Sequence, residues 1–408
     1  MKIALTCNGP GEFAGWLRPL MHALYEADPA LDATVFFVPD DYATGREPDV
    51  ARALFPRLRV FGTGDYLRFA FGRTLAGAPR AVDVVQYLGG DLMHAARLHG
   101  RLGGRARSYK FWSRSYRKML ERVYAVDSAN ERSLRAQGVP EQRIEEVGNL
   151  AVDGVFGEVE GGFGARDETA IPPDGVLVLP GNRRHEIGSL LPFFVQMAVQ
   201  LRRLIPDLPI AFGLSPFTTR DEVARALATG GHPLFWGARG TVSEEGGRLH
   251  LVPAADGVPI PVVRDAMRYA AQARLVVTIP GTKCIELAAL GVPTIVCTPL
   301  NAPELAVVNG PLQYIDRLPL VGVALKRAAV VAVNNRFAYT AQPNIDAGEM
   351  LMPELRGTLT PGRVARAAAA YAQDAAAREA AAPRLRALYA AHRGAARRMA
   401  HSLLEHSC

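Results

Sequence analysis

Three times in this chain a short run of Val, Ile, Leu or Ala ends in a glycine turn and passes straight into helical spacing. MKIALTC leads through NGPGEFAGW into LRPLMHAL. VLVLPGN (176–182) leads into the long apolar stretch SLLPFFVQMAVQLRRLIPD. ARLVVTIPGTKCIELAALGVPTIVCTPL (273–300) reads as strand, turn, helix and strand in succession. A strand with no polar alternation must be buried on both faces, and the helix that follows it supplies the cover. The repeat therefore restricts the chain to parallel sheets wound on both sides.

Further strands fit the same scheme: ATVFFVPD (33–40), AVDVVQYLGGD (81–91), ERVYAVD (121–127) and LPIAFGLSP (208–216). Helix NERSLRAQG (130–138) and IEEVGNLAVD (144–153) close the first half. GEVEGGFGARDETAIPPDG (157–175) is rich in Gly, Pro and acid and reads as a linker. The expected architecture is α/β: two doubly wound Rossmann-like domains, residues 1–160 and 172–350, with a cleft between them. Residues 351–408, rich in Ala and Arg towards their end, are expected as helices packing back toward the first domain.

Composition narrows the function. With 49% hydrophobic and 21% charged residues over 408 positions, two real cores can form. No apolar stretch reaches membrane-spanning length, and Met1-Lys2 runs directly into a strand rather than a signal peptide. Cys7, Cys284, Cys297 and Cys408 have no metal-ligand spacing, and a reduced, cytoplasmic setting fits. The formal charge of +7 admits anionic partners.

Several turns sit where open α/β sheets bind ligands, at the carboxyl ends of strands. In TIPGTKCIE, Gly281 lets a ligand approach the backbone, and Thr282 stands at a helix start whose N–H groups attract anions. Glu286 lies one turn on, placed to accept ribose hydroxyls; the alternative is a solvated Glu. In LPGNRRHE, Gly181, Asn182 and Arg183 form a similar turn, with Arg183 suited to a diphosphate or simply solvated. In YLGGDLMH, Asp91 is either a general base or an N-cap.

The opening loop carries Asn8, Gly9, Gly11 and Glu12. Its glycines are spaced one residue too far apart for a dinucleotide fingerprint, Pro10 removes an amide, and Asp40 and Asp41 come later than a ribose-binding acid should. Residues 96–119 hold eight Lys or Arg, no acid and interleaved aromatics. Arg107, Lys110, Phe111, Trp112 and Arg114 are read there as an anionic-membrane or acceptor surface rather than a nucleic-acid site. YLRFAFGRTLAG (66–77) is a second apolar-basic stretch of that kind.

These motifs together resemble lipid A disaccharide synthase, a glycosyltransferase of the GT-B fold. LPGNRRHEIGSLLPFF is similar to the family's LPGSR-x-x-E segment, and TIPGTKCIELAALGVPTIV to its SGT-x-x-x-E segment. QPNIDAGEMLMPEL (342–355) is similar to its late PN…PEL stretch, which adds Asn344 to the nucleotide side. VGNLAVD resembles the turn closing the N-terminal half. Asp91 matches the aspartate proposed as catalytic, and Glu12 falls where the family has an opening GD or GE. The resemblance implies inverting, metal-free transfer of an N-acetylglucosamine-type sugar from a UDP-sugar to a lipid or lipid-linked acceptor. It also implies a cytoplasmic enzyme at the inner membrane face; a homodimer is one option for its assembly, which the sequence leaves open. Alternatives on the same fold are a UDP-sugar epimerase and an inactive nucleotide-sugar-binding protein. The chain departs from the family in NGPGEFAGW, in Leu88 at the first of two paired aspartates, and in ALKRAAVVAVNNRFAY (324–339).

Overall fold

The computed structural model describes residues 1–40, 43–161, 174–264, 266–303 and 322–405. Cys408, Asp41 and most of the expected linker lie outside the described residues. The chain divides into two compact units: Met1–Gly164 with Ala390–Cys408, and Ala165–Tyr389.

The first unit is built on a seven-stranded sheet: β1 (Lys2–Cys7), β2 (Asp32–Phe37), β3 (Arg59–Phe61), β4 (Val84–Tyr87), β5 (Arg105–Tyr109), β6 (Leu120–Ala125) and β7 (Ile144–Glu146). Every pairing is parallel, in the order β3-β2-β1-β4-β5-β6-β7. Winding reverses between β1 and β4. Two neighbouring strands there send their connections to opposite faces, which leaves a crevice beyond their carboxyl ends. Asn8-Gly9 and Leu88-Gly89-Gly90-Asp91 emerge side by side at that crevice.

Helical structure begins earlier than the sequence spacing indicates. A short helix from Pro10 runs into a π-helical turn, Phe13–Leu17, and then into the helix Arg18–Ala27. Arg18 N–H reaches back five residues to Phe13 O. Pro19 has no N–H to offer the turn before it, so the wider register costs no donor there. The bulge lies next to the opening loop. Its Ala14 and Gly15 face Gly154 of the helix Leu150–Val159, where a side chain's first carbon would stand 3.2 Å from Ala14 O.

The second unit holds an eight-stranded sheet: β8 (Val176–Leu179), β9 (Ile210–Gly213), β10 (Gly240–Glu245), β11 (Arg248–Pro253), β12 (Ile260–Val263), β13 (Leu275–Thr278), β14 (Thr294–Pro299) and β15 (Glu354–Gly357). Six strands, β12-β9-β8-β13-β14-β15, are parallel, and the hairpin β10–β11 extends the β12 edge antiparallel. The switch point here is β8/β13. Val176, Val178, Val277, Phe193, Phe194 and Phe212 lie in its core. The helices Pro361–Gln373 and Ala375–Tyr389 belong to this unit, whereas the helix Ala395–Glu405 belongs to the first. The expected tail 351–408 is thus shared between the two units.

One expected surface is interior. Residues 96–119 contain a central strand, β5, and Arg107 on it is fully buried. Its guanidinium donates to Tyr124 Oη at 3.1 Å and to Ser402 O at 3.0 Å. Arg107 therefore leaves the membrane-facing set. Its charge is used inside the unit, tying β5 to β6 and the last helix.

Candidate functional site

At the β8/β13 switch point the two Pro-Gly loops lie side by side. Leu179 pairs with Thr278 in register, and Thr278 Oγ1 donates to Leu179 O at 3.3 Å. Gly181 and Asn182 follow the first strand, and Gly281 and Thr282 the second.

The two loops are finished differently. In the first, the Glu186 carboxylate accepts Asn182 N–H at 2.9 Å and Arg183 N–H at 3.0 Å, and the Arg183 guanidinium donates to its other oxygen at 3.3 Å. Gly181 has φ +108°, and a side chain there would strike Glu186 at 2.4 Å. This loop is closed on itself, with a side chain supplying the anion that a helix start attracts. In the second loop no side chain caps the helix Thr282–Leu290. Gly281 and Thr282 are both exposed. Anion-binding capacity at this switch point therefore resides with the Gly281–Thr282 turn.

Glu286 is 5% exposed, with Lys283 Nζ 2.6 Å from its carboxylate. Lys283 fixes the orientation of the acid and offsets part of its desolvation. On the buried face of this helix, burial pushes the Cys284 thiol up to about 12, with Glu354 and Glu286 adding to the rise. Asn344 does not reach the surface. It is fully buried, donating to Met352 O (2.7 Å) and Glu354 (2.9 Å) and accepting from Leu351 N–H (2.9 Å) and Met352 N–H (2.8 Å). Its amide is fully occupied, so the expectation that it touches a nucleotide is corrected: Asn344 and Glu354 hold the segment leading into β15.

In the first unit the crevice is lined by carboxylates. Asn8 is 9% exposed and donates from Nδ2 to Asp40 Oδ2 at 2.5 Å. Glu12 and Asp40 approach Gly9 equally closely, each 3.3 Å from where a side chain there would begin. Gly89 lies against Asn8, and Gly11 is exposed. Asp91 is exposed and caps the helix Leu92–Leu102, its Oδ1 accepting Met93 N–H at 2.7 Å. Burial, then the charges of Asp91 and Glu12, push the Tyr87 phenol far up. Its hydroxyl donates to Gly90 O at 2.6 Å. Leu88, at the family's first aspartate position, is a core residue.

Trp16, Tyr109, Phe111 and Tyr87 form a contiguous aromatic group beside the crevice, with Trp16–Tyr109 at 5.5 Å, Trp16–Phe111 at 6.5 Å and Tyr87–Phe111 at 6.2 Å. Phe111 and Arg114 are exposed, whereas Lys110 and Trp112 are half-buried. Sequence reasoning missed the Asn8–Asp40 pair, the Glu186 lock and the Lys283–Glu286 pair. The three-residue spacings of Arg183 to Glu186 and of Lys283 to Glu286 mark two of them beforehand.

No protein-family model matches the chain. The lipid-A-disaccharide synthase of Geobacter sulfurreducens (strain ATCC 51573 / DSM 12127 / PCA) is 26% identical over 179 residues, covering 44% of this chain and 34% of that protein. The chain thus matches about a third of that relative's length. Solved structures match over nearly the whole chain. One described as a UDP-N-acetylglucosamine 2-epimerase from Listeria monocytogenes has a TM-score of 0.56 at 14% identity, covering 99% of this chain and 96% of that one. A second UDP-N-acetylglucosamine 2-epimerase has a TM-score of 0.55 at 14% identity, covering 100% and 96%.

The fold is GT-B.

In this GT-B chain each sheet has its own switch point, and the two differ in charge. The first presents Glu12, Asp40 and Asp91. The second presents an uncapped helix start above a buried, lysine-paired glutamate. Among the described residues no helix is long and apolar enough to cross a membrane, and no cluster of His, Cys, Asp and Glu could hold a metal.

Proposed function

We propose that this protein is an inverting glycosyltransferase that moves an N-acetylglucosamine-type sugar from a UDP-sugar to a lipid or lipid-linked acceptor at a membrane surface. The observation that carries the reading is the open Gly281–Thr282 turn beside the closed LPGNR turn, with Glu286 one helical turn below. Backbone amides at 281–283 face the diphosphate, and the helix start favours its charge. Glu286, oriented by Lys283, accepts the ribose hydroxyls. Gly181 and Asn182 give that side of the nucleotide a rigid wall, and the exposed face of Arg183 adds positive charge.

The first unit takes the acceptor. Asp91 keeps Oδ2 for the proton of the attacking hydroxyl while Oδ1 holds the helix cap. Glu12, beside Gly9, orients that hydroxyl. The partial sequence match to a lipid-A-disaccharide synthase supports transfer. The exposed Phe71, Leu67 and Phe111, set among basic residues, support a membrane-facing acceptor. A UDP-sugar 2-epimerase is the second reading, favoured by the full-length likeness to those structures.

UDP titration by calorimetry tests the nucleotide assignment, with Glu286→Ala expected to weaken binding by about tenfold or more. Saturable binding of another nucleotide with no heat from UDP would sink it. Incubation with UDP-N-acetylglucosamine in deuterated water separates the two enzymes: solvent label entering the sugar identifies the epimerase, and sugar transferred to a lipid extract the transferase.

A further inference from the structure

A second cavity in the first unit stands apart from the crevice. It has a volume of about 400 Å³ and is lined by His99, Arg114, Ser115, Tyr116, Arg117 and Lys118, with Ala96 and Met119 completing it. His99 comes from the last turn of the helix Leu92–Leu102, three residues after Ala96 and on the same face. The others come from the segment linking β5 to β6. That segment is held in shape from below: Arg143 donates to Arg117 O at 3.0 Å and to Leu120 O at 3.2 Å, and Ser113 caps the turn Arg114–Tyr116. His99 Nε2 is anchored on Gly104 O at 3.1 Å.

The charged residues of the lining are all of one sign. Beside the apolar Ala96 and Met119, the residues that line it are two arginines, a lysine, a histidine, a serine and a tyrosine, and no carboxylate is among them. Among the described residues none of Arg114, Arg117 and Lys118 forms an ion pair. Three cationic donors of this kind match the oxygens and double charge of a phosphate monoester better than the single charge of a carboxylate. Placement argues against a substrate role. Leu120 opens β6 and Arg143 immediately precedes β7, so the cavity lies toward the amino ends of the strands, whereas ligands of open α/β sheets sit at the carboxyl ends.

We propose that this cavity is an oxyanion site that takes a phosphomonoester group, separate from the substrate crevice. The group comes either from a free phosphate compound or from a lipid headgroup, and the test has an arm for each. Binding of inorganic phosphate to the full-length protein is followed by amide chemical shifts. Sedimentation is followed with phosphatidylcholine vesicles carrying phosphatidic acid or, at matched surface charge, phosphatidylglycerol.

The triple variant Arg114→Gln, Arg117→Gln, Lys118→Gln is expected to lose about tenfold or more in affinity with its circular dichroism unchanged. Shifts around His99 and Tyr116 with phosphate alone mark a free-ion site. A preference for phosphatidic acid that the variant abolishes marks a headgroup site. The proposal is overturned if neither probe binds, or if the triple variant binds as the wild type does. It is equally overturned if neutralising Arg203 and Arg220, exposed in the other unit, reduces binding as much, since attraction would then be diffuse. UDP calorimetry on the same variant is expected to be unchanged, so this outcome and that of the nucleotide reading are read separately.

Discussion

Asp91 has two carboxylate oxygens, and one of them is already bonded to Met93 N–H. An amide side chain caps a helix about as well as a carboxylate, but it cannot take a proton. Asp91→Asn should therefore keep the melting temperature and lower transferase turnover by about 10²–10⁴-fold. Unchanged turnover would move the base to Glu12. Glu186 offers the complementary case. Glu186→Ala removes the acceptor of two backbone amides and the partner of Arg183, so it should cost roughly 1 kcal/mol in urea unfolding. It should also weaken UDP through a loosened Gly181–Arg183 turn. Weaker stability with wild-type UDP affinity would assign Glu186 to the helix alone.

At the scale of elements, β5 shows how a polar strand can be central. RARSY lacks the apolar run of its neighbours, yet Ala106, Arg107, Ser108 and Tyr109 are all buried. Its long polar side chains are tied in by hydrogen bonds: Arg107 to Tyr124 and Ser402, and Tyr109 Oη between Gly148 O and Leu150 N–H. Arg107→Ala leaves a void and a buried hydroxyl and carbonyl without a donor, for a loss of roughly 2–5 kcal/mol. Arg107→Met fills the void with an apolar chain and should recover part of that loss. Equal midpoints for the two variants in urea would show that the charge, not the packing, is what β5 requires. The last helix is held the same way: Asp153 accepts Gly394 N–H at 2.8 Å and Ala396 N–H at 2.7 Å, capping a helix that follows it by some 240 residues.

For the whole molecule, the clearest acid-sensitive group is His22. It packs edge-on against Phe55 at 4.8 Å, and burial, with Arg18 adding, lowers its pKa from 6.5 to about 4. The unfolded chain therefore binds a proton that the folded chain refuses between those values. The contribution is fully present above about pH 6.5 and is lost progressively as pH falls toward 4. His22→Gln should flatten that part of the stability profile in urea titrations at pH 7, 6 and 5. An unaltered slope would place the acid sensitivity in other groups.

What the sequence determined by itself is the alternation. Apolar runs such as IALTC, VLVL and LVVT have only one way to be buried on both faces, and the glycine turns after them mark strand ends. This periodicity is local, so the parallel sheets and the positions of the LPGN and IPGT loops were legible from it. It could not reveal β5, where burial depends on partners as distant as Ser402, nor the β10–β11 hairpin. Nor could it show that Asn344 faces inward, that Asp40 meets Asn8 across the β1–β2 ends, or that Glu186 closes one loop while the other stays open. Each of these depends on which side chain fills a space between elements far apart in the chain. That was decided only when the sheets were packed, because hydrogen-bond partners and burial belong to the assembled fold and not to any segment of it.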